Sequence, residues 1–298
     1  MKRIYLFICL LIIPAIIGFI YFDILNGKVK KTNFLYDKDG NMLASSPFPP
    51  GKDYIFGVDR NSRHMTYEVL SGYRITLTLL IVVALMTLII AIIIGTYLAF
   101  KKSNLALIDQ FLHPFFYIPQ SILGYLLLKP ILYEPIDQFT TTQSFRIIFS
   151  LIILILLMLP TTIVLVKSAT QMILEKEFIS SAKTMSPSKV YIFIKHLLPN
   201  MMIQYVIVFF RIMFQTLVVI SHLAFFKIFF GGTDVCYGPG CLINEQPTIP
   251  ELSSLLGFHF YDLQVAWWTF YSPLFAIIYM LFICQYVYQR LNDMHTKK

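Results

Sequence analysis

Residues 75–100 read ITLTLLIVVALMTLIIAIIIGTYLAF and contain no charged side chain. As an α-helix, a run of this length crosses the roughly 30 Å hydrocarbon core of a bilayer, whereas apolar helices buried in soluble domains are usually shorter. Lys101 and Lys102 follow directly and end the apolar run. The stretch therefore predicts a transmembrane helix, and with it an integral membrane fold.

The composition of the whole chain agrees with a fold in lipid. Of the 298 residues, 57% are hydrophobic and 13% are charged, which is about half the charged share of an average soluble domain. The formal net charge of +8 does not indicate a nucleic-acid partner, because the Lys and Arg residues lie between apolar runs rather than in one basic patch.

Further apolar runs predict an all-α fold with about six transmembrane helices. The first run follows Lys2 and Arg3 but lacks a small-residue cleavage site, so we expect an uncleaved span. The third run is interrupted by prolines, which membrane helices tolerate where neighbours satisfy the freed carbonyls. The predicted spans are residues 4–22, 75–100, 111–133, 145–166, 203–226 and 265–288.

The distribution of positive charge predicts the orientation. Loops on one side carry Lys101, Lys102 and Lys176, whereas the short loop at residues 134–146 on the other side holds only Arg146. By the positive-inside rule, both termini lie in the cytoplasm of a bacterial cell. Residues 1–74 are then a first helix with an extracellular segment, and residues 75–298 form the core membrane domain.

The polar stretch at about residues 175–200, between the fourth and fifth spans, predicts helix, turn and helix. Ser186 precedes Pro187, so it is disfavoured in the α region and suits the N-cap of a second helix that begins at the proline. The apolar residues of the first half recur at helical spacing and share one face. They are Phe178, Ile179, Ala182 and Met185.

This stretch resembles the cytoplasmic coupling loop of binding-protein-dependent ABC permeases, with the pattern E-A-A, three residues, G, nine residues, then I or H, one residue and L-P. Two positions depart from it, because Ser180 replaces the glutamate and Ser186 the glycine. A generic interfacial helical hairpin is the alternative reading. The resemblance implies that the ATPase-coupling residues are Glu177, Phe178, Ile179, Ala182, Met185, Ser186, His196 and Pro199.

Two more stretches are similar to the C-type permeases of oligopeptide, dipeptide and nickel importers. Residues 56–77 are similar to L-G-T-D-x-x-G-R-D and Y-G-A-R-x-S-L, with Ser62 in place of a glycine and His64 in place of an aspartate, and residues 246–273 are similar to P-P-T-P-x-W-G-x-M-L and W-W…P. In the first, Asp59 and Arg63 are predicted to cap and pair at a helix start. A solvated helix before the membrane also explains those charges.

The resemblance implies a type I ABC importer permease fold with cytoplasmic coupling helices. It implies a subunit that forms half of the translocation path for peptides or a related small solute. The expected partners are a second permease subunit of the same or another chain, ABC ATPase subunits, an extracellular solute-binding lipoprotein and membrane lipid.

The chain has no phosphate-binding G-x-x-x-x-G-K-[ST] motif. It is therefore expected not to be an enzyme and to bind no cofactor, with ATP and Mg on the partner ATPase. Two other classes are a divergent permease-like scaffold or sensor without transport, and a membrane enzyme. The enzyme would need paired catalytic groups such as H-E-x-x-H within a span, and the sequence has none.

Polar residues of the fifth span mark a candidate translocation path. A charge inside a membrane is costly unless it faces a cavity or a partner, which singles out Arg211, with Gln215 one turn later. Ser221 and His222 stand near the position where the family has glutamate. Arg211 equally fits a structural role, paired with a carbonyl or carboxylate between helices.

Cys236 and Cys241 flank a Gly-Pro-Gly turn on the predicted extracellular side, where disulfides persist. A small disulfide loop and two free thiols are both open. No metal site is expected, because His113 and His259 lack neighbours at ligand spacing.

Overall fold

In the computed structural model, the described residues are 2–37, 39, 41–101, 113–135, 138–179, 181, 188–237 and 245–296. Within these ranges the α-helices are α1 (Lys2–Phe19), α2 (Met65–Phe100), α3 (Gln120–Leu132), α4 (Gln143–Leu174), α5 (Lys189–Ile192), α6 (Leu198–Phe225), α7 (Leu252–Phe258) and α8 (Trp267–Thr296). The strands are β1 (Phe34–Tyr36), β2 (Met42–Ser45), β3 (Thr233–Val235) and β4 (Glu245–Pro247).

Within the described ranges, five helical segments are long and apolar enough to cross a membrane, and α3 is a shorter apolar helix. The predicted all-α membrane fold with about six spans is therefore confirmed. The long segments are Arg3–Ile24, Met65–Phe100, Gln143–Leu174, Lys189–Phe225 and Trp267–His295.

The third predicted span differs most from the observed helix. Phe111 and Leu112 lie outside the described residues, and a 3-10 turn at His113–Phe116 precedes α3. Helix α3 begins directly after Pro119, because a proline donates no backbone hydrogen bond and disfavours the α conformation in the residue before it.

Helix α2 begins ten residues before the predicted start at residue 75. Hydropathy misses this beginning because it carries Glu68 and Arg74, but both charges are neutralised locally. Glu68 pairs with Arg63 at 3.2 Å, and Arg74 pairs with Asp23 at the end of the first span.

The prediction that Asp59 and Arg63 pair through their side chains is wrong. The Oδ1 atom of Asp59 accepts a hydrogen bond from the backbone N–H of Arg63 at 2.6 Å, and the Arg63 guanidinium reaches Glu68 instead. Asp59 is buried, and this burial raises the pKa of its carboxyl group. Asp59 therefore fixes the loop before α2 rather than capping the helix.

The chain divides into two compact units. The first unit contains Met1–Leu80, Tyr125–Ser150 and Leu217–Ile283, and the second contains Ile81–Gly124, Leu151–Thr216 and Cys284–Lys298.

In the first unit, α1 packs closely against α2 and α8. The hydroxyl groups of Tyr73 and Tyr279 donate to the α1 carbonyls of Leu11 and Leu10, each at 2.9 Å. At Gly18, a Cβ atom would lie 3.0 Å from the carbonyl oxygen of Leu70, so the missing side chain permits the close approach.

Each of the two small sheets of the first unit is an antiparallel pair. Strands β1 and β2 pair Phe34 with Ser45, and β3 and β4 pair Thr233 with Pro247. Arg146 supports the loop before β3, because its Nε donates to the carbonyl oxygen of Gly231 at 2.9 Å.

In the second unit, α2 and α4 meet at Gly95. A Cβ atom there would lie 3.0 Å from the Cγ1 atom of Val166 and 3.1 Å from the carbonyl oxygen of Ile163. Helices α4 and α6 meet where the Thr170 hydroxyl lies 3.6 Å from the sulfur of Met201. At Gly95 the missing side chain thus lets α2 and α4 approach closely, as small residues do in other membrane bundles.

Candidate functional site

The first half of the predicted coupling loop is only partly described. Glu177–Ile179 are helical, whereas Ser180, Ala182, Met185 and Ser186 lie outside the described residues. Ile179 is fully buried in the chain, and Phe178 has 42% of its surface exposed. Of these two apolar residues, Phe178 is the one whose ring is exposed on the surface of the chain.

The second half of the loop starts with one turn of α-helix, and Ser188 is the N-cap of that turn. The Ser188 hydroxyl accepts from the backbone N–H of Tyr191 at 3.4 Å, and α5 begins at Lys189. The predicted start at Pro187 with Ser186 as cap is thus corrected by two residues. Ser188 suits the cap because its backbone is extended, with ψ of 115°.

A π turn at Phe193–Leu197 joins α5 to α6. Pro199 follows it and has no backbone N–H for the usual bond to residue 195, while the N–H of Leu198 bonds to the carbonyl of Phe193. His196 lies in this turn, half-buried, and its backbone carbonyl accepts from the Asn200 side chain at 2.7 Å. The predicted residues His196 and Pro199 therefore mark an irregular turn.

Helix α6 carries a polar face in the second unit. Gln204, Arg211 and Gln215 are spaced by seven and four residues, so they project from one side of the helix. All three are half-buried, whereas Val208 and Ile212 beside them are buried. Within the described part of the chain, no hydrogen bond or ion pair joins the Arg211 side chain to another residue. Its charge is thus left uncompensated by these residues.

The two remaining path candidates lie in the first unit. The Ser221 hydroxyl donates to the Leu217 carbonyl of the same helix at 2.8 Å, so its hydrogen is already used. His222 is exposed in the last turn of α6, where a positive charge suits the helix dipole.

Cys236 is disulfide-bonded, while Cys9 and Cys284 are free. Cys241, the partner that the sequence predicts for Cys236, lies outside the described residues. Among the side chains that the structure describes, no group of three or more His, Cys, Asp or Glu is arranged to hold a metal ion.

Sequence reasoning missed Glu251, which is 1% exposed and holds α7 against α2. Its carboxylate accepts from the backbone N–H groups of Ser253 at 2.9 Å and Ser254 at 2.6 Å, and from the Thr76 hydroxyl at 3.0 Å. Burial raises the pKa of this carboxyl group. An acidic residue just before a short apolar helix was the available signal, since it is typical of an N-cap.

A second buried network was also missed. Asp262 pairs with Arg60 at 2.7 Å and lies 2.8 Å from Nδ1 of His259, and both Asp262 and His259 are buried. Nearby, the indole N–H of Trp268 donates to the carbonyl of Val58 at 3.1 Å. These contacts fix the loop before α2 onto the start of α8, at separations in sequence that no local motif reveals.

Long apolar helices, one of which bears an arginine on a polar face, define the chain as a helical integral membrane protein. A family model matches residues 91–297, and its description is binding-protein-dependent transport system inner membrane component. The chain belongs to this family. No individual curated protein matches it.

The family match begins inside α2, so residues 1–90 lie outside it. The stretch at residues 56–77, which carries part of the resemblance to the oligopeptide, dipeptide and nickel importers, is among them. The permease family is therefore confirmed, and the narrower subfamily stays a prediction.

Proposed function

We propose that the chain is the permease subunit of an ATP-driven ABC importer and forms half of the translocation path for peptides or a related small solute. The observation that carries the proposal is the polar face of Gln204, Arg211 and Gln215 on a membrane-crossing helix inside the family match.

The energetics of Arg211 support a path. A charged side chain within a bilayer costs several kcal/mol unless it faces water or a partner. Arg211 is half-buried and has no charged or hydrogen-bonding partner within the described residues. A water-filled path shared with a second permease subunit satisfies it, and so does a pairing with that subunit. Gln215 shares the face of Arg211, and Ser221 and His222 stay predicted path residues.

The coupling loop supplies the link to a separate ATPase. Phe178 is exposed next to the buried Ile179, so an anchored segment presents one aromatic ring. We expect Phe178 to enter a groove of the ATPase together with Ala182 and Met185, while Ile179 anchors the loop. Glu177, Ser186, His196 and Pro199 are the other proposed coupling residues of this loop.

The remaining parts of the importer follow from this role. ATP and Mg bind the partner ATPase, and an extracellular solute-binding lipoprotein delivers the solute to the pair of permeases. The subunit lies in a bacterial inner membrane with both termini in the cytoplasm, since the short Lys-rich loops favour that side.

The test compares Phe178→Asp with Phe178→Leu in the complete transporter. Burying a large apolar side chain stabilises a contact by about 1.5 to 3 kcal/mol, so the aspartate is expected to weaken ATPase binding on the order of tenfold or more. The leucine keeps an apolar surface and is expected to bind normally. The measurements are ATPase co-purification and substrate-stimulated hydrolysis in reconstituted membranes.

Two results would contradict the proposal. If Phe178→Asp retains both the ATPase and stimulated hydrolysis, the loop is not a coupling element. If the unaltered chain binds the ATPase but no solute stimulates hydrolysis or moves across the membrane, the chain is a scaffold or sensor.

A further inference from the structure

The second unit contains an apolar cavity of about 470 Å³ that the proposed path does not use. Its walls are the last turns of α2, including Ile92, Ile93 and Tyr97, and the turn that begins at α5, including Phe193. Ile93 and Tyr97 are 66% and 63% exposed, so the cavity is open on this side.

The depth of the cavity matches one leaflet of a bilayer. Lys101, directly after the last residue of α2, is nine positions along the chain from Ile92 at the other end of this wall, which corresponds to about 14 Å along an α-helix. Half of the hydrocarbon core of a bilayer is about 15 Å thick. An acyl chain lying along this wall would therefore run over the depth that lipid tails occupy.

The charge at the rim is positive. Among the described residues, the charged ones that line the cavity are Lys101 and Lys189, and both are exposed. The Lys101 ammonium lies 6.0 Å from the centre of the Tyr97 ring, a contact that favours its position beside the apolar wall. Basic residues beside a gap between membrane helices attract anionic lipid headgroups.

We propose that this cavity binds an anionic phospholipid, with one acyl chain along Ile92, Ile93 and Tyr97 and the phosphate between Lys101 and Lys189. The apolar wall matches the tail and the two ammonium groups match the phosphate. A soluble anion would contact only the two lysines, and a neutral lipid would contact only the apolar wall. This binding does not depend on the proposed transport function.

The experiment uses the full chain with Phe193→Trp, which places a fluorescent ring in the wall, in bilayers of phosphatidylcholine with phosphatidylglycerol. Bromine on the acyl chains of one lipid or the other quenches the new tryptophan, after subtraction of the signal of the unaltered chain. We expect phosphatidylglycerol to be preferred at this site on the order of tenfold.

Two comparisons make the result specific. Ile152→Trp introduces a tryptophan at an exposed apolar position of the second unit that does not line the cavity, and there the two lipids should quench about equally. Replacing both lysines in the Phe193→Trp chain, with Lys101→Gln and Lys189→Gln, should abolish the preference while leaving quenching by phosphatidylcholine in place.

Three results would overturn the proposal. Equal quenching by the two lipids in the Phe193→Trp chain, which keeps both lysines, would show that the site has no preference for an anionic headgroup. An unchanged preference in the double glutamine variant would place the headgroup elsewhere. Quenching by neither brominated lipid at Phe193→Trp would mean that the cavity holds no acyl chain.

Discussion

Arg211 and Glu251 are two charged residues treated in opposite ways by the fold. Glu251 is enclosed and accepts four hydrogen bonds, whereas Arg211 is half-buried on a membrane-crossing helix without such bonds among the described residues. The role of Glu251 is to stabilise the fold. Arg211 is costly for the isolated chain, which is why we propose a functional role for it.

For Arg211, we predict that Arg211→Lys keeps most of the transport activity and Arg211→Leu lowers it at least tenfold, equivalent to about 1.4 kcal/mol. The lysine retains the charge that faces the path, and the leucine removes it. Solute uptake into proteoliposomes measures the activity, and co-purification of the partner subunits serves as the control. If Arg211→Leu abolishes assembly, the arginine holds subunits together and does not line a path.

For Glu251, we predict that Glu251→Gln lowers the free energy of unfolding by about 1 to 3 kcal/mol. The glutamine amide has nearly the same shape, but its NH₂ group cannot accept the hydrogen bonds that the backbone N–H groups donate to the carboxylate. Thermal unfolding in detergent, followed by tryptophan fluorescence, checks this. Glu175→Gln, at an exposed position, is the matched control. Equal melting temperatures for the two variants would contradict the role of Glu251.

Among the elements, the close contact between α2 and α4 depends on the absence of a side chain at Gly95. We predict that Gly95→Leu separates these helices and lowers the free energy of unfolding by about 1 to 3 kcal/mol, because the added atoms overlap Val166 and Ile163. Thermal stability and monodispersity in detergent report the effect. At Gly51 nothing lies within 4 Å of an added Cβ, so Gly51→Ala should melt like the unaltered chain. A normal melting temperature for Gly95→Leu would refute the close packing.

Hydropathy predicted the long helices because the cost of burying a polar backbone in lipid admits few other structures. Hydropathy placed the start of α2 too late because Glu68 and Arg74 are charged, and the residues that pair with them, Arg63 and Asp23, lie outside the helix. The hairpin of β1 and β2 was missed for a related reason. Its strands have three and four residues, too few to establish an alternating pattern.

For the candidate site, sequence could identify the polar residues but not their surroundings. The spacing of Arg211 and Gln215 already puts them on one face of a helix. Whether a neighbour neutralises Arg211, or whether Ile179 is enclosed while Phe178 is exposed, depends on packing between elements distant in sequence. The Asp262 contact with Arg60 is equally invisible to a local pattern.

For the whole molecule, the orientation predicts which surfaces a membrane-impermeant thiol reagent reaches. In a chain with Cys9→Ser, we predict that Ser45→Cys is labelled in intact cells and that Ser188→Cys is labelled only after the membrane is opened. Both positions are exposed, so accessibility within the fold does not limit the reaction. The unaltered Cys284 is buried and provides the background signal. Labelling of Ser188→Cys in intact cells would reverse the topology.

The π turn at Phe193–Leu197 has a mechanical consequence. The segment Lys189–Phe225 is otherwise a stiff rod, and the wide turn interrupts its regular hydrogen bonding at one place close to the loop. A helix twists most easily where its regular hydrogen bonding is interrupted, so a force on the loop would rotate the backbone at this turn. Gln204, Arg211 and Gln215 lie beyond this joint, and a rotation at the joint would swing all three through a common angle.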